Sequence, residues 1–127
     1  MTDDVAQRLR AAWDEAKHWY DDDKSWVGDA LRPVITAANA RSELRGLFPF
    51  TSLNRLCFSR CSEYPYTEDC ACIAAKDGEY VVQATWTVSD APAAELSAVT
   101  RDLDVAIQAM IDNLPHDTTV WIGGCHD

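Results

Sequence analysis

The dipeptide Asp77-Gly78 lies between two runs of alternating apolar residues. That is the strongest short-range hairpin signal, because a two-residue turn needs positive φ at both positions. Folding the chain about it pairs Ala75 with Tyr80, Ile73 with Val82 and Cys72 with Gln83. From Tyr80 onward, Val82, Ala84, Trp86 and Val88 alternate with Gln83, Thr85, Thr87 and Ser89. One face of the strand is therefore apolar and the other largely polar. Ala71 and Ile73 join the apolar face with Val82 and Trp86, while Cys70 and Cys72 fall on the polar one. An antiparallel sheet is the frame that everything else must fit.

The first forty residues carry the helical period instead. Val5, Leu9, Ala12, Trp13, Ala16 and Tyr20 form one stripe behind a Thr2 cap, and Asp21-Asp22-Asp23 predicts the end of that helix. Leu31, Val34, Ile35 and Ala38 predict a second helix, capped by Asp29, with Pro33 in its first turn or so. Residues 42–45 predict a short turn of helix before Pro49. Leu103, Ile107, Met110, Ile111 and Leu114 predict a C-terminal helix capped by Thr100 or Asp102 and closed by Pro115. Leu56–Cys61 and Leu96–Val99 are further strand candidates, and Val120-Trp121-Ile122 an edge strand or a packed tail. The expected fold is one α+β domain over residues 1–127. It has an antiparallel sheet with the N-terminal helices and one C-terminal helix on one face.

The 127 residues can bury an ordinary core without disulfides or metal. Eleven basic against 21 acidic residues give a net charge of −10, which argues against nucleic acid or an anionic membrane surface as partner. The N-terminus lacks the pattern of a signal peptide, and no window has the length of a membrane span. A cytoplasmic protein with reduced thiols is expected, in keeping with an odd count of five cysteines.

Residues 48–72, FPFTSLNRLCFSRCSEYPYTEDCAC, concentrate the unusual chemistry. Cys57-x3-Cys61 and Cys70-x-Cys72 lack the two-residue spacing of a zinc knuckle, so buried thiols are expected and no metal or other cofactor. His18, His116 and His126 each read as surface residues, and Gly123-Gly124-Cys125-His126 as a mobile tail. No nucleophile elbow, phosphate loop, zincin or dinucleotide motif is present. Phe48-Pro49-Phe50 and Tyr64-Pro65-Tyr66 read as rigid turns that aim rings and the following hydroxyls. Arg60, sharing the face of Leu56 and Phe58, is expected to be partly buried. Its partner is then a bound carboxylate or carbonyl, or one of Glu63, Glu68 and Asp69.

The string LRGLFPFTSLNRLCFSRCSEYPYTEDCACI followed by DGEYVV resembles a family of small proteins of high-GC soil bacteria found beside natural-product genes. The shared pattern runs L-R-x-L-[FY]-P-[FW]-[TV]-S, a strand ending F-S-R, then Y-P-[FW]-[TS] and D-G-x-Y. The match covers residues 43–82 and the helix ending in Leu114-Pro115. Several members have His-Gly where this chain has Leu53-Asn54. Size and organisation are similar to the lysinoalanine-forming cyclases of duramycin- and cinnamycin-type lanthipeptide pathways. The resemblance implies conjugate addition of a lysine amine to dehydroalanine in a modified precursor peptide. Such chemistry needs no metal or nucleophile, since orientation alone contributes up to about 7–11 kcal/mol. It needs walls, donors near the acceptor carbonyl and a base, which the peptide itself can supply.

On that expectation Arg60 contacts carbonyl or carboxylate groups, and Glu68 is the base or ammonium anchor. Phe50, Tyr64, Tyr66 and Trp86 supply walls. Thr51, Ser52, Asn54 and Thr67 supply hydrogen bonds, while Cys72 and Gln83 on the polar face hold the peptide or a second subunit. A homodimer is expected, because one thin sheet over few helices makes a shallow pocket. The alternative is a non-enzymatic acidic binding protein, of immunity or inhibitor type, that caps a basic partner.

Overall fold

A computed structural model describes residues 3–52, 54–85 and 96–125. The elements run α1 (Asp3–Asp22), α2 (Trp26–Asn39), α3 (Ser42–Arg45), β1 (Phe48–Ser52), β2 (Arg55–Ser59), β3 (Cys72–Lys76), β4 (Glu79–Gln83), β5 (Leu96–Thr100) and α4 (Leu103–Asp112). The five strands form one antiparallel sheet in the order β1-β2-β3-β4-β5. The α+β fold has the N-terminal helices and the C-terminal helix packed on the sheet, with α1 over β1, α2 over β2 and β3, and α4 over β3 to β5.

The hairpin register is the expected one: Ala75 faces Tyr80, Ile73 faces Val82 and Cys72 faces Gln83. Asp77 and Gly78 adopt φ of 54° and 80°, the left-handed conformation this turn demands. The strand ends at Gln83, and Ala84 and Thr85, expected to continue it, bend away instead; the rest of the expected strand, through Trp86 and Val88, lies outside the described residues.

The core lies between the helices and one sheet face. Trp13, Tyr20, Leu31, Val34, Ile35, Leu56, Phe58, Ile73, Val82, Ile107 and Met110 meet there, nearly all excluded from solvent. Each large aliphatic side chain so buried contributes roughly 1.5–3 kcal/mol. Trp13 is anchored twice, its indole N–H donating to the carbonyls of Arg45 (3.0 Å) and Leu47 (3.1 Å).

The α1–α2 corner departs from the expected boundaries. Ser25, not Asp29, is the N-cap of α2, its hydroxyl accepting from the Val27 N–H at 3.2 Å. Four more residues thus join the helix, and Pro33 lies inside it. Gly28 explains the shift: a Cβ there would overlap the Asp23 carbonyl oxygen and come within 2.8 Å of the Asp23 Cβ. Only glycine lets α2 start this close to the end of α1. The acidic C-terminus of α1, unfavourable for the helix dipole, is relieved from α2. Arg32 donates to the carbonyls of Tyr20 (2.8 Å) and Asp23 (3.2 Å) and pairs with Asp21 and Asp29.

Three further expectations change. Phe48-Pro49-Phe50 is not a turn but the edge strand β1, where a proline without N–H is tolerated. Cys70 does not share the face of Cys72; it precedes β3 and is buried in the main core. Gly123 to Cys125 are packed rather than loose. The Glu63 N–H donates to the Gly123 carbonyl (3.1 Å), the Cys125 N–H to the Pro65 carbonyl (2.7 Å) and the Trp121 N–H to the Arg60 carbonyl (2.9 Å). Gly123 has φ of 111°, and a Cβ on Gly124 would stand 3.0 Å from the Pro65 Cδ. Both glycines are therefore used. His126 lies outside the described residues. No helix among the described residues is long and apolar enough to cross a membrane.

Candidate functional site

The two aromatic-Pro-aromatic triplets, far apart in sequence, meet in space. β1 presents Phe50, and the turn after β2 brings back Tyr66, whose ring stacks on Phe50 at 4.0 Å with 9° between planes. Tyr64 stands edge-on to Tyr66 at 6.2 Å and is 69% exposed. The Tyr64–Pro65 bond in that turn is cis. The stack forms one wall of a cleft of about 250 Å³ between α1 and β1, lined also by Arg8, Ala12, Glu15, Trp19, Thr51 and Ser62. At that volume it accommodates a side chain or two of a peptide, below the usual size of a drug-like ligand site.

The cleft combines an apolar surface with opposite charges. Arg8 and Glu15 sit two turns apart on α1, beside Ala12 and Trp19, on the face turned toward β1. The Tyr66 phenol is pushed above its ordinary 10.0, chiefly by burial. The Cys61 sulfur, Glu15 and Glu63 act in the same direction, and Arg8 opposes them. At neutral pH the phenol keeps its proton and can donate it in a hydrogen bond. A larger, more open depression of about 620 Å³ between the start of α1, α3 and residues 118–120 contains none of the expected site residues.

Of those residues, Phe50, Thr51 and Tyr66 line the cleft and Tyr64 stands at its aromatic wall. Others have different work. Thr67 is buried, its hydroxyl accepting from the Arg60 N–H (2.9 Å) and sharing a hydrogen bond with Ser59 (3.2 Å). The Asn54 amide donates to the Ala75 carbonyl at 3.1 Å, tying the β1–β2 turn to the hairpin. Ser52 is half-buried at the end of β1, and Glu68 is exposed away from the cleft lining. Trp86 lies outside the described residues.

Arg60 changes its role most. Its Nε and Nη2 both reach Asp69 Oδ2, at 3.0 and 2.7 Å; Nη1 approaches Asp117 at 3.8 Å, and the guanidinium lies 5.3 Å from the Trp121 ring centroid. Despite partial burial, these carboxylates raise its pKa further. The charge expected to meet a substrate carboxylate is already matched by the protein's own. Arg60 fastens the C-terminal segment to the end of β2.

Cys72 and Gln83 occupy the other sheet face with Arg55. The Gln83 amide oxygen accepts from Cys72 Sγ (3.3 Å) and Arg55 Nη1 (3.4 Å), and Cys72 is fully buried with Cys57 under Phe50 and Tyr66. A fully buried thiol offers a peptide no surface. Among the described residues no group of three or more His, Cys, Asp or Glu is placed to hold a metal.

Sequence reasoning missed Arg8, Glu15 and Trp19. With Ala12 they recur at i, i+4, i+7 and i+11 beside the buried stripe, a visible pattern whose neighbour only the tertiary fold supplies.

Fold and cleft together define a small α+β protein whose candidate ligand site lies where a helix crosses the edge of one antiparallel sheet. The chain matches the family of unknown function DUF6193 over residues 7–124 and belongs to that family. No curated protein and no solved structure matches it.

Proposed function

We propose that the chain is a peptide-modifying enzyme that forms a lysinoalanine crosslink by positioning a modified precursor peptide in the α1–β1 cleft. The observation that carries the reading is the juxtaposition, in one cleft, of a stacked aromatic wall, a protonated phenol, a carboxylate and a guanidinium. The resemblance in size and organisation to the lysinoalanine-forming cyclases of lanthipeptide pathways suggests the reaction.

In this proposal Glu15 anchors the substrate lysine ammonium, and Arg8 holds a peptide carbonyl or carboxylate. The ammonium gives its proton to a carboxylate, either Glu15 or one belonging to the peptide. The free amine attacks the dehydroalanine β-carbon, forming the C–N bond as the C=C π pair moves toward the carbonyl oxygen. Tyr66 donates a hydrogen bond to that oxygen as its charge develops. The carboxylate then returns the proton to the α-carbon, so mass is conserved. Phe50, Tyr64 and Trp19 hold the apolar parts of the peptide, and Thr51 offers it a hydroxyl. The small cleft keeps a homodimer in the proposal, with a second copy extending the surface. A cytoplasmic location belongs to the same reading.

Incubation with a dehydrated, thioether-bridged precursor peptide tests it. Because the product has the mass of the substrate, the readout is loss of dehydroalanine that a thiol can trap. Trapping that continues undiminished in the presence of the protein excludes the activity.

The second reading, an acidic cap for a basic partner, has one observation in its favour: Asp14, Glu15, Asp21 and Asp22 are all exposed along α1. It requires steep salt dependence of association.

A further inference from the structure

We propose that Cys57 and Cys72 form an oxidisable dithiol that a hydroperoxide closes into a cross-strand disulfide beneath the Phe50–Tyr66 stack. The β2–β3 register pairs Arg55 with Ala74 and Leu56 with Ile73. One step further sets Cys57 opposite Cys72. Directly opposed antiparallel residues have Cα atoms about 4.5–5.5 Å apart, inside the roughly 4.4–6.8 Å window of disulfides. The two thiols lie in one buried cluster with Phe50.

Their surroundings divide the labour. The Cys72 thiol is shifted below its ordinary value, chiefly by the neighbouring Cys57 thiol and, against the opposing effect of burial, by Arg55. Burial pushes Cys57 far up, with Cys72 adding to it. Cys72 shares the Gln83 amide oxygen with the Arg55 guanidinium, which sets it beside a positive charge and makes it the attacking thiol, with Cys57 the resolving one. The remaining described cysteines differ. Cys61 donates to the Glu63 and Pro65 carbonyls at 3.5 and 3.4 Å. Cys70 sits in the main core with its thiol pushed up to about 12, chiefly by burial. Cys125 is half-buried in the C-terminal segment.

The Cys72 thiolate attacks one peroxide oxygen, the O–O bond breaks, and hydroxide leaves to take up the thiol proton as water. Cys72 is then a sulfenic acid. Cys57 attacks its sulfur, the S–S bond forms, and the sulfenic oxygen leaves as a second water. Two thiols are oxidised and one hydroperoxide is reduced. Both thiols have zero exposure, so local opening admits hydrogen peroxide and shuts out glutathione disulfide. The bridge encloses residues 58–71, the segment that carries Tyr64 and Tyr66.

The test uses the full reduced chain, treated with hydrogen peroxide, quenched with catalase, alkylated in guanidinium and digested without reduction. The expected result is a chain lighter by two hydrogens. Its Cys57 and Cys72 peptides are joined in most molecules and separated again by a phosphine, with Cys61 and Cys70 recovered as alkylated thiols. In Cys57→Ser, Cys72 should instead be captured as the dimedone adduct of its sulfenic acid. Glutathione disulfide should leave the pair reduced. Recovery of Cys57 and Cys72 as thiols after peroxide, or a bridge from either to another cysteine, overturns the proposal, and the wild-type map decides this even where the variant fails to fold. These readouts are thiol masses, so they stand apart from any peptide chemistry in the cleft.

Discussion

At Gly28 the space for a side chain is already filled by Asp23. Gly28→Ala must therefore push α2 away from the end of α1, and overpacking of backbone against backbone costs about 3 kcal/mol. Denaturant unfolding should show the midpoint falling with little change of slope; an unchanged midpoint would mean that the corner is looser than described. Arg60 and Asp69 are a second residue-scale case. The guanidinium side chain is 21% exposed and the carboxylate 38%, so solvent screening limits their coupling to about 1 kcal/mol. A double-mutant cycle with Arg60→Ala and Asp69→Ala, read by unfolding, should return a coupling of that size. Additive losses would show that the pair is a surface accident.

Among the elements, the hairpin was legible to the residue because Asp77-Gly78 admits one turn type and alternation admits one register. The helices were legible as stripes, and the N-cap of α4 is Asp102, one of the two candidates the sequence offered. Their ends were less so, since the start of α2 depends on Gly28 fitting against Asp23, a contact between helices that no single-helix pattern encodes. β1 was hidden by its proline, which looks like a turn until the strand is known to be an edge. The aromatic wall was visible as two triplets, but their stacking required the path of the chain from β1 to the turn after β2. Arg60 was read as partly buried with Asp69 among its possible partners, and that pair is found; Asp117 and Trp121 add to it from a distant segment whose path the sequence does not encode.

The α1–α2 corner also carries a pH prediction. Asp23 is held below its ordinary 3.8, first by the hydrogen bonds it accepts from Ser25. The stability it contributes is complete above that value and is lost as pH falls through the lower folded value. Thermal unfolding should thus decline below about pH 4, and less steeply in Asp23→Asn. Equal slopes would remove Asp23 from the acid response.

For the whole molecule, the excess of ten negative charges separates the two functional readings. If the chain caps a basic protein, association should slow steeply as salt rises. If it folds a peptide ring into the small α1–β1 cleft, raising ionic strength from about 0.05 to 0.5 M should change the crosslinking rate less than about threefold, because the Debye length shrinks but the contacts that orient the ring are short-ranged. The cleft, rather than Arg60, is the central claim. It is tested most directly by the rate at which trappable dehydroalanine disappears from a thioether-bridged peptide, measured side by side for the wild-type chain, Tyr66→Phe and Arg60→Ala. The account predicts a loss of about 10²-fold for Tyr66→Phe, the scale of removing one donor to a developing oxyanion, and a near wild-type rate for folded Arg60→Ala. A full rate in Tyr66→Phe, with the loss falling on Arg60→Ala instead, would contradict it.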